Sequence, residues 1–334
     1  MVCSALKQLK QLPKEQAAPA PSCKETIISV IRGCAKKTDK LCLFSTYDAH
    51  SVVDPYVTFH LDAIVQAGFD IVLISTSPKL RRRDIRALSN KCLFVVHRAN
   101  VGLDFASWKV GLEMTDWCAG HSRLLLVNDS IFGPFSDLNK VFDMFESSDA
   151  AFCGMTESFQ QKHHLQSYFL YVKLDAIPDT VWRSFWNDVQ PLRDKAQIIT
   201  RYEVGLSQYM LSQGVELLPY VKSEDINSTA RALGETFQYA DRLEKDAVNS
   251  TLLMWDLLLQ CFDFPYLKRQ LFASNPFDSR SLPAWRGIVP ERARLTLVPL
   301  IDRYLKRTIP PRRPLVASIR RLSRRLLRMF SLSN

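Results

Sequence analysis

At 334 residues, with 47% hydrophobic and 10% aromatic side chains, the chain can bury a large core and is read as one large or two modest globular domains. Its net charge of +10 sits in the tail: from Arg303 onward there are ten Lys and Arg and no Asp or Glu. The remainder is charge-balanced, which excludes a basic nucleic-acid groove in the body and gives the tail a partner of its own.

No run approaches the ~20 apolar residues of a membrane span, and residues 1–23 lack the apolar core of a secretory signal. The eight cysteines show no CxxC spacing, and Cys42, Cys92 and Cys153 fall in apolar, strand-like runs. They read as small core residues in a reducing compartment.

In chain order, residues 1–38 are polar with Pro13, Pro19 and Pro21 and read as a loosely held lead-in. Leu41–Tyr47 is a first strand. Val57, Leu61, Ile64 and Val65 make a helix face that Gly68 ends. Phe69–Ser75 and Cys92–Val96 are the next strands, with a basic turn or short helix at Arg81–Arg83 between them. Phe105, Trp108 and Leu112 share a helix face ahead of the apolar run Leu124–Val127. Leu138, Val141, Phe142 and Phe145 repeat the pattern before Ala150–Gly154. Strands and helices alternating at this spacing predict right-handed βαβ units and a mostly parallel sheet.

Beyond this, His164–Val172 is expected as a strand at the sheet margin, and Val181, Trp182, Phe185, Trp186 and Val189 as an amphipathic helix. Tyr202–Leu211 reads as a short helix ended by Gly214, Val215–Val221 as a strand, and residues 223–280 as mostly helical. Past Pro310, Pro311 and Pro314, the residues Leu315, Ile319, Leu322, Leu326 and Met329 form a narrow apolar stripe among arginines. That pattern fits a helix lying in an anionic membrane interface, or one packed on its own domain or a protein partner.

Leu124–Val127 is too short for a helix and reads as a strand buried on both faces, ending abruptly in Asn128, Asp129 and Ser130. In open α/β sheets the carboxyl ends of strands are where ligands bind. A carboxylate between an amide and a hydroxyl there suits a hard cation and the phosphate oxygens it bridges, and equally suits a capped turn.

Five blocks resemble the rhamnan synthesis protein F family of glycosyltransferases. They are His97–Leu112, Leu126–Phe135, His164–Phe169, Tyr202–Ser207 and Phe264–Leu271 with Asn275-Pro276. More distantly, Asn100-x-Gly102 and Gly111-Leu112 resemble the helix-entry motif of nucleotide-sugar transferases with the GT-A fold. The resemblance implies an α/β, GT-A-like and Rossmann-related enzyme: a mostly parallel sheet flanked by helices, with a helical C-terminal extension. On this basis the chain divides into a lead-in (1–38), a catalytic domain (39–222), a helical extension (223–280) and a basic amphipathic tail (281–334).

The resemblance also implies roles. Ser45, Tyr47, Asn100, Gly102, Asp104, Lys109, Asn128, Asp129 and Ser130 are expected around the donor nucleotide. Asp129 is the expected ligand of a divalent cation, Mg or Mn. Where GT-A enzymes carry DxD this chain has Asn-Asp-Ser, with one carboxylate, which leaves metal dependence open and admits a weakened binding or scaffold subunit as the alternative.

Glu203 resembles the catalytic residue of inverting GT-A enzymes, and placed at a helix start it would be held as an anion ready to take a proton. His163 and His164, adjacent on a strand, would point to opposite faces and so share no zinc. His164, Gln166 and Tyr168 are expected to line the acceptor or sugar pocket. The expected donor is a nucleotide sugar such as dTDP-rhamnose, and the acceptor a lipid-linked polysaccharide. Nucleic acid is no partner, and the enzyme is placed in the cytoplasm, peripheral on the inner face of the cytoplasmic membrane.

Overall fold

Continuous apolar runs form the middle of the sheet because a strand covered on both faces has no polar side to show. The computed structural model describes residues 22–34, 36–234 and 249–309. Its elements begin with Ile27–Arg32 (β1), Lys40–Thr46 (β2), Pro55–Gln66 (α1), Asp70–Ser75 (β3), Arg82–Ser89 (α2), Cys92–Arg98 (β4) and Leu103–Met114 (α3). Then come Arg123–Asn128 (β5), Ile131–Phe132 (β6), Leu138–Glu146 (α4), Phe152–Ser158 (β7), His164–Leu165 (β8), Phe169–Lys173 (β9) and Asp179–Asn187 (α5). Lys195–Ile198 (α6), a π-helical turn at Ile199–Val204 and Gly205–Ser212 (α7) run on as one helix before Leu217–Val221 (β10). The described remainder comprises Ser223–Leu233 (α8), Ser250–Leu253 (α9), Trp255–Cys261 (α10), Leu267–Lys268 (β11), Arg269–Ser274 (α11), Trp285–Ile288 (α12), Glu291–Thr296 (α13) and Val298–Thr308 (α14).

Among the described residues the main sheet runs β1-β4-β3-β2-β5-β9-β7-β10. β4, β3, β2 and β5 are mutually parallel. β1 is antiparallel to β4, and β9 is antiparallel to both β5 and β7. The chain winds outward from β2 through β3 to β4 and then returns to the other side of β2 as β5. The crevice above the carboxyl ends of β2 and β5 is therefore the topological switch point, with Ser45 in register with Asn128.

Side chains alternate across the pleat, so Cys42 and Phe44 face one buried cluster and Leu41 and Leu43 the other. α1, α4 and the C-terminal helices cover the first face, while α3, α5 and the α6–α7 helix cover the second. Gly111 lets α3 lie close on the sheet: a Cβ there would come 2.9 Å from the Leu43 side chain. Together these features make the α/β, mostly parallel sheet flanked by helices that the sequence implies.

The structure corrects several expectations. Ile27–Arg32, assigned to the lead-in, is an edge strand, because its backbone finds a partner in β4. His164–Val172 is not one marginal strand. β8 and β9 are separate, and β9 lies inside the sheet with all five residues buried.

Residues 281–309 are likewise no detached tail. Trp285, Val289, Leu297 and Ile301 are buried in the core, and Arg307 pairs with Asp48 at 2.5 Å and also with Asp54. The apolar stripe at 315–329 lies outside the described residues. Among the described residues no helix is long and apolar enough to cross a membrane.

Candidate active site

β5 carries its apolar run straight to the switch point, and the chain turns there on its own side chains. Asn128 Oδ1 accepts from the Ser130 amide (3.0 Å) and the Ser130 hydroxyl (2.5 Å). This is the turn that Asn favours by bonding the backbone two residues on. The other end of the Asn128 amide donates from Nδ2 to Asp104 Oδ2 at 2.8 Å.

Asp104 follows a closely packed loop at the start of α3. Gly102 adopts φ +78°, where a Cβ would meet Pro191 Cα at 2.6 Å. The buried Arg98 holds the same loop, its guanidinium donating to the Val101 carbonyl and to Ser107 Oγ. Burial pushes the Asp104 carboxyl up to about 6, against the hydrogen bonds from Ser45 and Asn128 and with the help of Asp129 and Glu203.

Asp129 is nearly enclosed. Its Oδ2 accepts from Thr46 Oγ1 (2.8 Å) and the Tyr47 amide (3.1 Å) and lies 3.1 Å from Arg269 Nη1. Its backbone carbonyl accepts from the same Arg269 nitrogen at 2.7 Å. Arg269 arrives from 140 residues away, carried by β11, which pairs antiparallel with β6 just past the Asn-Asp-Ser turn. Gly133 makes room for that approach, since any Cβ would lie 2.3 Å from the Tyr266 ring. Burial works against the Arg269 charge, but Asp129 and the phenols of Tyr56 and Tyr304 more than offset it, so the guanidinium stays protonated.

Beside these residues opens a cleft of about 750 Å³. One wall carries Asp104, Asn128 and Ser130; another carries His164, Gln166 and Tyr168; Glu203 and Lys195 come from the α6–α7 helix, and Lys268 and Arg269 from the β11–α11 step. The His164–Tyr168 wall is bound internally. Gln166 Oε1 and the Tyr168 hydroxyl each lie 2.8 Å from Thr156 Oγ1. His164 Nδ1 donates to the Lys162 carbonyl at 2.8 Å, which leaves Nε2 as the acceptor of the neutral ring. Glu203 Oε1 accepts from the Ser167 amide (3.0 Å), and Ser207 Oγ from the Leu165 amide (3.1 Å), so one helical strip holds this wall in place.

The model of the family described as rhamnan synthesis protein F matches residues 71–251, more than half of the chain. The chain belongs to that family. The virulence protein VirA of Vibrio anguillarum is 31% identical over 208 residues, covering 57% of this chain and 65% of that protein, slightly under two thirds of the relative's length. Two solved structures are more distantly similar. The galactosyltransferase LgtC in complex with donor and acceptor sugar analogs is 12% identical, with a TM-score of 0.31 over 50% of this chain and 70% of that one. TarS of S. aureus is 12% identical, with a TM-score of 0.35 over 76% of this chain and 82% of that one. The fold assignment above rests on the sheet order of this chain itself.

The five rhamnan-synthesis-like blocks, separate in sequence, meet at the cleft. They supply Asp104, then Asn128 and Ser130, then His164, Gln166 and Tyr168, then Glu203, and lastly Lys268 and Arg269. The last pair lies beyond the matched span of the family model.

Other candidate residues stand elsewhere. Ser45 and Asp129 lie behind the cleft wall, and Asn100 and Gly102 shape the α3 entry without lining it. Tyr47 is also outside the lining; its amide serves Asp129. Lys109 reaches no phosphate position. It is buried on the far face, donating to the Trp186 carbonyl (2.6 Å) and lying 3.5 Å from Glu113.

Glu203 does not start a helix. The helix begins at Lys195, where Asp194 caps the Gln197 amide, and Glu203 sits in the π-helical turn eight residues on. The helix dipole therefore does not account for its charge. A π turn displaces the helical register locally and often marks a functional position.

The residues do not fit a divalent cation. Asp129 is the one carboxylate of the DxD-like triplet, and its Oδ2 already takes two hydrogen bonds and an ion pair with Arg269. Among the described residues no group of three His, Cys, Asp or Glu is arranged to hold a metal ion. The cleft's cationic side chains are Lys195, Lys268 and Arg269, and sequence reading assigns the last two no role. Their only signal is membership of the last family-like block.

Proposed function

We propose that this chain is a nucleotide-sugar-dependent glycosyltransferase that moves a sugar, in our reading rhamnose from a dTDP-type donor, to a growing cell-surface polysaccharide. The observation that carries the proposal is one cleft at the switch point in which a carboxylate from a π-helical turn, Glu203, shares the space with the cationic pair Lys268 and Arg269. Membership of the rhamnan synthesis protein F family supports the polysaccharide class.

In the proposed reaction the acceptor hydroxyl attacks the anomeric carbon, forming the new C–O bond as the bond to the diphosphate breaks. The bonding pair leaves on the diphosphate oxygen, and Glu203 takes the hydroxyl proton, a single displacement with inversion. The Ser167 amide anchors Glu203 through Oε1, and the residue lines the cleft. His164, Gln166 and Tyr168 would position the acceptor. Thr308 and Ile309, the last described residues, line the cleft, and we read the acceptor as lipid-linked at the inner face of the cytoplasmic membrane, with the basic sequence that follows them meeting its anionic lipid.

The test is transfer from a panel of nucleotide sugars by the full chain and by Glu203→Gln. The variant should bind donor normally and lose roughly 10²–10⁴-fold in turnover. If donor affinity drops while turnover at saturation holds, Glu203 is a binding residue and the proposed base is wrong.

A further inference from the structure

We infer that this chain holds the leaving diphosphate with the side chains of Lys268 and Arg269, in the place where a divalent cation on Asp129 would otherwise bridge it. The inference rests on the glycosyltransferase reading of the cleft and specifies how its donor is bound.

Three observations support it. First, Asp129 is committed: Thr46, the Tyr47 amide and Arg269 all converge on Oδ2, leaving Oδ1 as its one oxygen outside the described contacts. A cation at Oδ1 would lie against the Arg269 charge on the same carboxylate. Second, Arg269 is fixed as a positive group at the strand end. Its amide donates to the Ser130 carbonyl (2.8 Å), its Nη1 to Tyr56 Oη (2.8 Å) and the Asp129 carbonyl, and its guanidinium lies over the Tyr304 ring. The planar fork of Arg suits phosphate oxygens, and here it is preorganised.

Third, Lys268 is a basic side chain with no anionic partner in contact. Its Nζ lies 3.5 Å from the centre of the Tyr168 ring and makes no hydrogen bond or ion pair within the described residues, yet it lines the cleft. The groups that act on it from the surrounding elements are Glu203, Asp104 and Lys195. Neither carboxylate touches it: Asp104 is engaged with Asn128 and Ser45, and Glu203 with the Ser167 amide. An ammonium with only a ring face for company lowers its energy most by meeting a multiply charged oxyanion.

The experiment is calorimetric titration of the full-length protein with inorganic pyrophosphate in EDTA, repeated with excess Mg²⁺, for the wild type and for Lys268→Met and Lys268→Arg. Thermal melting of each variant confirms folding. The expected result is binding in EDTA that Mg²⁺ does not tighten, weakened at least about tenfold by Lys268→Met and retained by Lys268→Arg, which keeps the charge. Binding that appears only with Mg²⁺, that is unchanged in Lys268→Met, or that is missing under both conditions overturns the inference. A parallel transfer assay separates the two levels. Sugar transfer strictly requiring Mg²⁺ would overturn the cationic-pair inference while leaving the glycosyltransferase reading intact, and transfer from no donor would overturn that reading itself.

Discussion

Lys268→Met should make the protein more stable, and do so in a pH-dependent way. Burial lowers the Lys268 ammonium from 10.5 to about 7, in spite of the opposing pull of Glu203 and Asp104. At 1.36 kcal/mol per tenfold change in proton affinity, holding the charged form in the fold costs up to about 5 kcal/mol. The side chain is only half-buried at the cleft, and the contact with Tyr168 returns about 1 kcal/mol. A net gain of about 2–3 kcal/mol at about pH 6 is therefore expected for the isosteric apolar residue.

The sign follows from proton counting. Below the folded value of about 7 both states of the wild type are protonated, and the full penalty applies. Between 7 and 10.5 the unfolded chain binds the extra proton, so wild-type stability rises with pH. The advantage of Lys268→Met should shrink by up to roughly 3 kcal/mol on going from about pH 6 to about pH 9.5. Urea denaturation of both proteins at the two pH values measures it. A variant no more stable at the lower pH, or equally advantaged at both, would refute the reasoning. A gain in stability with a loss of diphosphate binding is the mark of a residue kept for function at a cost to the fold.

Asp104→Asn keeps an oxygen to accept from Asn128 and removes a carboxyl raised from 3.8 to about 6 by burial. A raised acid loses stability as pH climbs between those values, so the variant should be more stable by up to about 3 kcal/mol above pH 6 and show a flatter profile below it, read by thermal melting across pH. Gly102→Ala forces a Cβ into Pro191 at a positive φ and should cost about 2–4 kcal/mol, measured by chemical denaturation; a smaller cost would mean that the loop shifts. Deleting residues 310–334 should abolish salt-sensitive sedimentation with anionic liposomes while leaving activity on a soluble acceptor, and unchanged sedimentation would end the membrane assignment.

The amino-acid sequence by itself determined the sheet core, because a strand buried on both faces must be apolar throughout, and Leu41–Phe44, Ile71–Ile74 and Leu124–Val127 are. It also put Asn128, Asp129 and Ser130 at a strand end, and Phe105, Trp108 and Leu112 on one helix face, since local periodicity carries that information. The tertiary structure alone decided what those strand-end residues touch. Asp129 reads as a metal ligand until Arg269 is seen to reach it, and that meeting depends on a two-residue pairing of β11 with β6, too short to leave a periodic trace. Glu203 resembles the first turn of a helix because the true start, Asp194 and Lys195, lies among polar residues with no apolar stripe, and a π turn has no sequence period of its own. Lys109 and Lys268 are indistinguishable as lone lysines along the chain. Packing turns one to the Trp186 carbonyl and the other to the cleft, and only the second has a charge left to offer a ligand.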